Sequence, residues 1–173
     1  MIKTIIKQII PKPLRKKLVL LRKKTRYSIR KHILTLALKG NAPLKIIVGA
    51  AETHQSGWLA TNEQWLDITN ERHWKQFFGN ENRISHVVAE HVFEHLTSEE
   101  ASRALNYMFE RLTKNGRIRI AVPDGYNPNK EYIKHVEIAG IGDDASDHKQ
   151  LLNLDTLTRL IEQAGFAAQH VEG

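Results

Sequence analysis

The chain has 173 residues, no Cys and a formal charge of +7. That length allows one domain with an appendage and a real apolar core, and the lack of Cys excludes a disulfide scaffold, a Cys-ligated zinc site and a thiol nucleophile. The charge is sharply divided: residues 1–51 hold 14 Lys or Arg and no acid, whereas residues 52–173 hold 12 Lys or Arg against 19 Asp or Glu.

Residues 1–43 read as a basic arm in which apolar and basic clusters alternate, broken at Pro11 and Pro13. Two short amphipathic helices are expected there. Such an imbalance points to a polyanionic partner, and the plainer alternative is a solvated or partly docked helix. Peripheral contact with anionic membrane through residues 1–40 is the favoured expectation, because Ile and Leu accompany the charge. Nucleic acid comes second, since Tyr27 is the arm's single aromatic residue and gives no stacking platform. No apolar run reaches the ~20 residues needed to span a bilayer, and no signal-peptide pattern is visible. A cytoplasmic chain, peripheral to a membrane, is expected.

Asn41, Ala42 and Pro43 mark the boundary with a body spanning residues 44–173. Leu44 to Val48 form a short buried strand, followed by Gly49, Ala50, Ala51, Glu52 and Thr53. From Thr53 to Gly57 there is no room for the dozen or so residues of a normal parallel crossover. Either the arm supplies the missing cover or the second strand, near Trp58 to Thr61, is irregular. Asp67 reads in one sense as a helix N-terminal residue or cap ahead of Glu71, His73 and Trp74.

The stretch from Ile84 to Gly125 is the richest. An apolar, β-branched strand (Ile84, Val87, Val88) ends at the polar cluster Glu90, His91, Glu94 and His95. Thr97 with Glu100 forms a capping-box signature, and Ala101, Leu105, Met108, Phe109 and Leu112 follow helical spacing. Lys114, Asn115 and Gly116 are expected to stop that helix before a second strand, Ile118 to Val122, that ends at Pro123 and Asp124. Parallel strands joined through a helix define an α/β sheet, whose ligands sit at the carboxyl ends of its strands. Glu90, His91, Asp124 and Gly125 are therefore expected at one rim.

Tyr126 to Leu152 form a long Gly-, Asn- and Asp-containing insert, expected to act as an acceptor lid. Asp155 is expected to cap a last helix carrying Leu157, Leu160, Ile161 and Ala164, with a strand beginning between Phe166 and Val171. His91-x-x-Glu94-His95 also fits the HxxEH pattern of inverted zinc metallopeptidases, which makes a zinc hydrolase a remote alternative. Its position at a strand end, rather than within a long helix, argues against that reading, so no resident metal is expected.

From about Leu44 to Phe166 the chain resembles a bacterial family of class I S-adenosylmethionine-dependent methyltransferases. The resemblance rests on IIVGA, GW with LDIT, AEHVFEHL, RIAVPDG, Tyr132-Ile133, Gly140 with Gly142, DHK and AGF, in that order. It implies a Rossmann-like, mostly parallel α/β sheet with helices on both faces and incomplete last antiparallel strands. S-adenosylmethionine is the implied cofactor, with Gly49, Ala50, Ala51, Asn62, Asp67, Ile68, Glu90 and His91 around it. Asn62 stands where an acid commonly meets ribose, and Asp67 would face the adenine amino group. Ala51 and Glu52 stand where the family usually has further glycines, and Asn127 where it has a His.

Methyl transfer is an in-line displacement in which positioning does most of the work and a base helps a hydroxyl acceptor. His91, Asp124 and His148 are the candidate catalytic residues. The acceptor expected is a small molecule, glycan or lipid intermediate. Family members continue into a further strand, whose absence would leave the RIAVPDG strand as an edge open to self-association. A non-catalytic interaction module is the alternative from another class.

Overall fold

The computed structural model describes residues 11–64 and 66–171. Residues 1–10, on which part of the expected arm falls, lie outside the described residues. Among the described residues the arm forms one long helix, α1 (Lys12–Lys39), with Pro11 as its N-cap and Pro13 in its first turn; the first of the two expected helices falls on residues 1–10. Proline is tolerated there because first-turn N–H groups have no intrahelical acceptor. The helix ends against the body: the Arg83 guanidinium donates to the carbonyls of Leu38 (2.8 Å), Ala37 and Gly40. A cation on the last carbonyls meets both their unpaired acceptors and the negative end of the helix dipole. Ala37 and Leu38 pack on the core, whereas Leu14, Leu18, Leu21, Ile29, Ile33 and Leu36 are exposed.

The body contains β1 (Leu44–Val48), β2 (Leu59–Ala60), α2 (Glu71–Phe78), β3 (Ile84–Glu90), α3 (Ser98–Arg111), β4 (Leu112–Ala121), α4 (Lys130–Val136) and α5 (Leu154–Gln163). Short 3-10 turns occupy Phe93–His95 and Ala145–Asp147. The four strands form one parallel sheet in the order β2-β1-β3-β4, so the α/β class holds. β2 is only two residues long, the irregular second strand expected of the short β1–β2 connection, and α1 packs beside it.

Alternation along the strands divides the apolar residues between two clusters. Leu44, Ile46 and Val48 join Val87, Ala89 and side chains of α2, α3 and α5 in the main core. Ile47 points the other way, into a small cluster with Ala50, Ala60 and Trp58. The helices touch in the order α1–α2–α3–α5, which makes one layer. Helices were expected on both faces, but among the described residues none contributes to the second cluster. The reason is the short link after β1, which holds no crossover helix.

Local signals decided most boundaries. The capping box of α3 is complete: Glu100 N donates to Thr97 Oγ1 and Thr97 N to Glu100 Oε2, at 3.2 and 2.8 Å. The stop expected at Lys114–Gly116 falls earlier, because Leu112 is drawn into the core and pairs with Ile84. Pairing resumes only at Arg117 opposite His86, leaving a bulge between, and a Cβ on Gly116 would meet Leu112 at 2.6 Å. Asn153 caps α5 in place of Asp155, through a reciprocal pair with Thr156. No strand forms from Phe166 to Val171; Phe166 instead packs edge-on against Phe109. β4 is an edge of this sheet, and the exposed charges of Arg117 and Arg119 guard it.

Candidate functional site

The chain leaves β1 for β2 on one side and returns for β3 on the other, which makes the β1/β3 boundary the switch point of the sheet. Connections diverge at such a point, so a crevice opens beyond the strand ends. A cleft of about 300 Å³ lies there, lined by Val48, Gly49, Ala50, Thr53, Trp58 and Glu90 among others. That volume is at the lower end of the range for small-molecule sites.

Strained backbone surrounds it. Gly49 has φ +61°, and the non-glycine residues Ala51 and His91 have φ 42° and 53°. Glu90, half-exposed, forms an ion pair with Arg119 across β3 and β4. The pair follows from the register, which sets Arg119 beside Val88 and Ala121 beside Glu90. Trp58 receives the Lys45 ammonium 5.8 Å from its ring centre and the edge of His86 at 6.1 Å. Trp58, Thr53 and Arg119 were not singled out from the sequence as site residues. The alternation of RIRIA was the available signal for Arg119.

Of the expected cofactor residues, Gly49, Ala50 and Glu90 line the cleft. Asn62 lies two residues beyond β2, with its carbonyl accepting from Leu66 N. Asp67 is occupied locally: its Oδ1 accepts from Thr69 N and Thr69 Oγ1 at 2.9 and 2.7 Å in the turn ahead of α2, whose cap is Asn70 in place of Asp67. The Ile68 side chain lies in the main core, and its carbonyl accepts from Trp74 Nε1. Asp124 is exposed and accepts from Tyr126 N, which closes its turn.

The two candidate histidines are brought toward one another around Glu94, whose side chain is 2 % exposed. His91 Nδ1 lies 3.1 Å from Glu94 Oε1, and donor atoms of Glu94, His95 and His148 all lie within 4.8 Å of one another. His148 is buried, and its Nδ1 lies 2.8 Å from the Val136 carbonyl. The Phe93–His95 segment is a 3-10 turn and His91 sits at positive φ, so the long helix of the HxxEH pattern is not formed.

The insert is tied down at several points. Lys149 N and Gln150 N donate to the Glu94 carbonyl, and Gln150 Nε2 to that of Phe93. Tyr126 Oη donates to Asp155 Oδ2 at 2.9 Å, and that bond to a carboxylate raises the phenol's pKa. Lys149 Nζ reaches Glu100 Oε2 at 2.8 Å, which together with the Thr97 N–H lowers the Glu100 pKa.

No protein-family model, curated protein or solved structure matches the chain significantly. Its class is therefore fixed by its own architecture: an α/β domain with a four-stranded parallel sheet and a cleft at the switch point. No described helix is long and apolar enough to cross a membrane.

Proposed function

We propose that the chain binds S-adenosylmethionine in the cleft between β1 and β3 and transfers its methyl group to a small-molecule, glycan or lipid-intermediate acceptor. One observation carries this reading: the switch-point cleft of a parallel sheet is lined by Gly49 at positive φ, and Ala51 and His91, next in sequence to its lining residues Ala50 and Glu90, are also left-handed. Non-glycine residues in that region cost roughly 1–3 kcal/mol and concentrate where a fold holds a ligand.

The cofactor supplies a methyl group on a sulfonium. The Gly49–Ala50 backbone admits close approach, and Glu90, ion-paired with Arg119, accepts hydrogen bonds or faces positive charge. His91, 74 % exposed and held through Nδ1 by Glu94, keeps its other nitrogen for a proton from a hydroxyl acceptor. Ala51, Asn62, Asp67, Ile68 and His91 do not line the cleft, so the fit is partial and no cofactor contact is assigned to them. A non-catalytic module is the second reading, favoured by the saturation of Asp67 within its own turn.

The arm has a separate role in this proposal. Its eleven Lys or Arg between residues 12 and 39, with no acid, and the exposed leucines of α1 suit an anionic lipid surface near the acceptor.

Isothermal titration with S-adenosylhomocysteine tests the cofactor reading. Micromolar binding, weakened at least about tenfold by Glu90→Gln, is expected from a competent site. A folded protein that takes up no ligand at about millimolar concentration would leave only the non-catalytic reading.

A further inference from the structure

Glu94, His95 and His148 form a cluster none of whose side chains lines the cleft. Glu94 is 1 % and His148 8 % exposed, and a carboxylate with two imidazoles is an expensive set to bury. Four buried side-chain polar atoms lack a hydrogen-bond partner among the described residues, and two of them, Glu94 Oε2 and His95 Nδ1, are here. His95 Nδ1 does lie 3.0 Å from Asp147 Oδ1, but without hydrogen-bonding alignment. Native folds pair such atoms with protein, water or an ion.

His148 is oriented as a donor of electrons. Its Nδ1 faces the Val136 carbonyl at 2.8 Å, and a carbonyl only accepts, so Nδ1 carries the proton and Nε2 the lone pair. A hydrogen bond of this kind, from the remote nitrogen to a backbone carbonyl, commonly fixes a metal-binding imidazole. The His95 and His148 rings meet edge to face with centroids 4.9 Å apart, which keeps them adjacent without stacking.

We infer that Glu94, His95 and His148 bind a divalent transition-metal ion of the zinc type. One carboxylate and two imidazoles are a donor set that suits zinc, and three protein ligands leave a fourth position for water or for Asp147. Donors around tetrahedral zinc stand roughly 3.3 Å apart, given Zn–N bonds of about 2.0–2.1 Å. The present separations of up to 4.8 Å therefore close by small side-chain rotations.

The ligands come from two chain segments. Glu94 and His95 belong to the turn after β3, whereas His148 follows the 3-10 turn that ends the insert. The ion would pin the insert over the strand ends, where Lys149 N and Gln150 N already reach the Glu94 carbonyl. His91 is not a ligand in this arrangement, which separates the site from the HxxEH pattern. None of the three side chains lines the cleft, and Glu94 serves both readings with different oxygens, Oε1 beside His91 and Oε2 left for the ion.

The test uses the full chain, stripped with chelator and titrated with Zn²⁺ against a chromophoric competitor. One equivalent is expected to bind in the micromolar range or tighter, to raise the melting temperature and to slow amide exchange at Ala145–Gln150. His148→Ala is expected to weaken binding at least about 100-fold, whereas His148→Cys, which supplies another zinc ligand, restores it. His54→Ala, altering an exposed histidine outside the cluster, should leave binding unchanged. Folded protein that binds no Zn²⁺, or binds it equally well with His148→Ala, overturns the site. Failure of both His148 variants to fold leaves the wild-type titration and exchange protection to decide.

Discussion

A Cβ built on Gly49 would stand 2.5 Å from Cγ2 of Val92, so the loop after β1 and the turn after β3 are pressed together beneath the cleft. Gly49 also has φ +61°, which an L side chain adopts only at a cost.

Gly49→Ala is therefore expected to destabilise the protein by roughly 2–3 kcal/mol, part from backbone strain and part from overlap with Val92. Val92→Ala should recover the overlap and leave the strain. A double-mutant cycle in urea is expected to show a coupling of about 1 kcal/mol between the positions. Additive effects would mean that Val92 yields freely and the contact is not tight.

Glu100 links the α3 cap to the insert, accepting from Thr97 N and Lys149 Nζ. Its pKa is lowered in the folded chain, first by the Lys149 hydrogen bond and then by the backbone of Thr97. A depressed carboxylate pKa means that the unfolded state binds the proton first as acid is added. The contribution is thus complete above the ordinary glutamate pKa and lost as pH falls through the lower, folded value. Wild type should lose stability across that acid window more steeply than Glu100→Gln, as measured by urea midpoints from pH 6 downward. Parallel slopes would show that Glu100 contributes nothing to the acid transition.

The α1 arm is expected to bring the protein down with vesicles containing phosphatidylserine, but not with pure phosphatidylcholine. Binding should fall as salt rises, since each basic residue near an anionic surface contributes about 1 kcal/mol that counterions screen. Paired Leu18→Asp and Leu21→Asp changes should weaken sedimentation, because both side chains are exposed on α1. Equal recovery with neutral and anionic vesicles would sink the electrostatic part of this proposal.

Much of the fold was legible because its signals are local. The Thr97–Glu100 capping box, the β-branched run of β3 and the helical spacing of α3 depend on residues within a turn or two of each other. Boundaries failed where a distant partner intervened. Leu112 was drawn out of its helix by Ile84, and the pairing of β4 was broken by the bulge before Arg117.

The sequence by itself determined the parallel α/β class, the charge division between arm and body, and the concentration of polar residues at the end of β3. Pattern and composition suffice for these, since period and charge are properties of contiguous residues. Only the tertiary structure decided that Glu90 meets Arg119, that Asp67 turns inward to Thr69, and that His148 joins Glu94 and His95. Each of the three is set by register or by the path of a loop, and the short link after β1 likewise left the helices in a single layer. Strand register and loop closure bring together residues far apart in the chain, which local spacing does not encode.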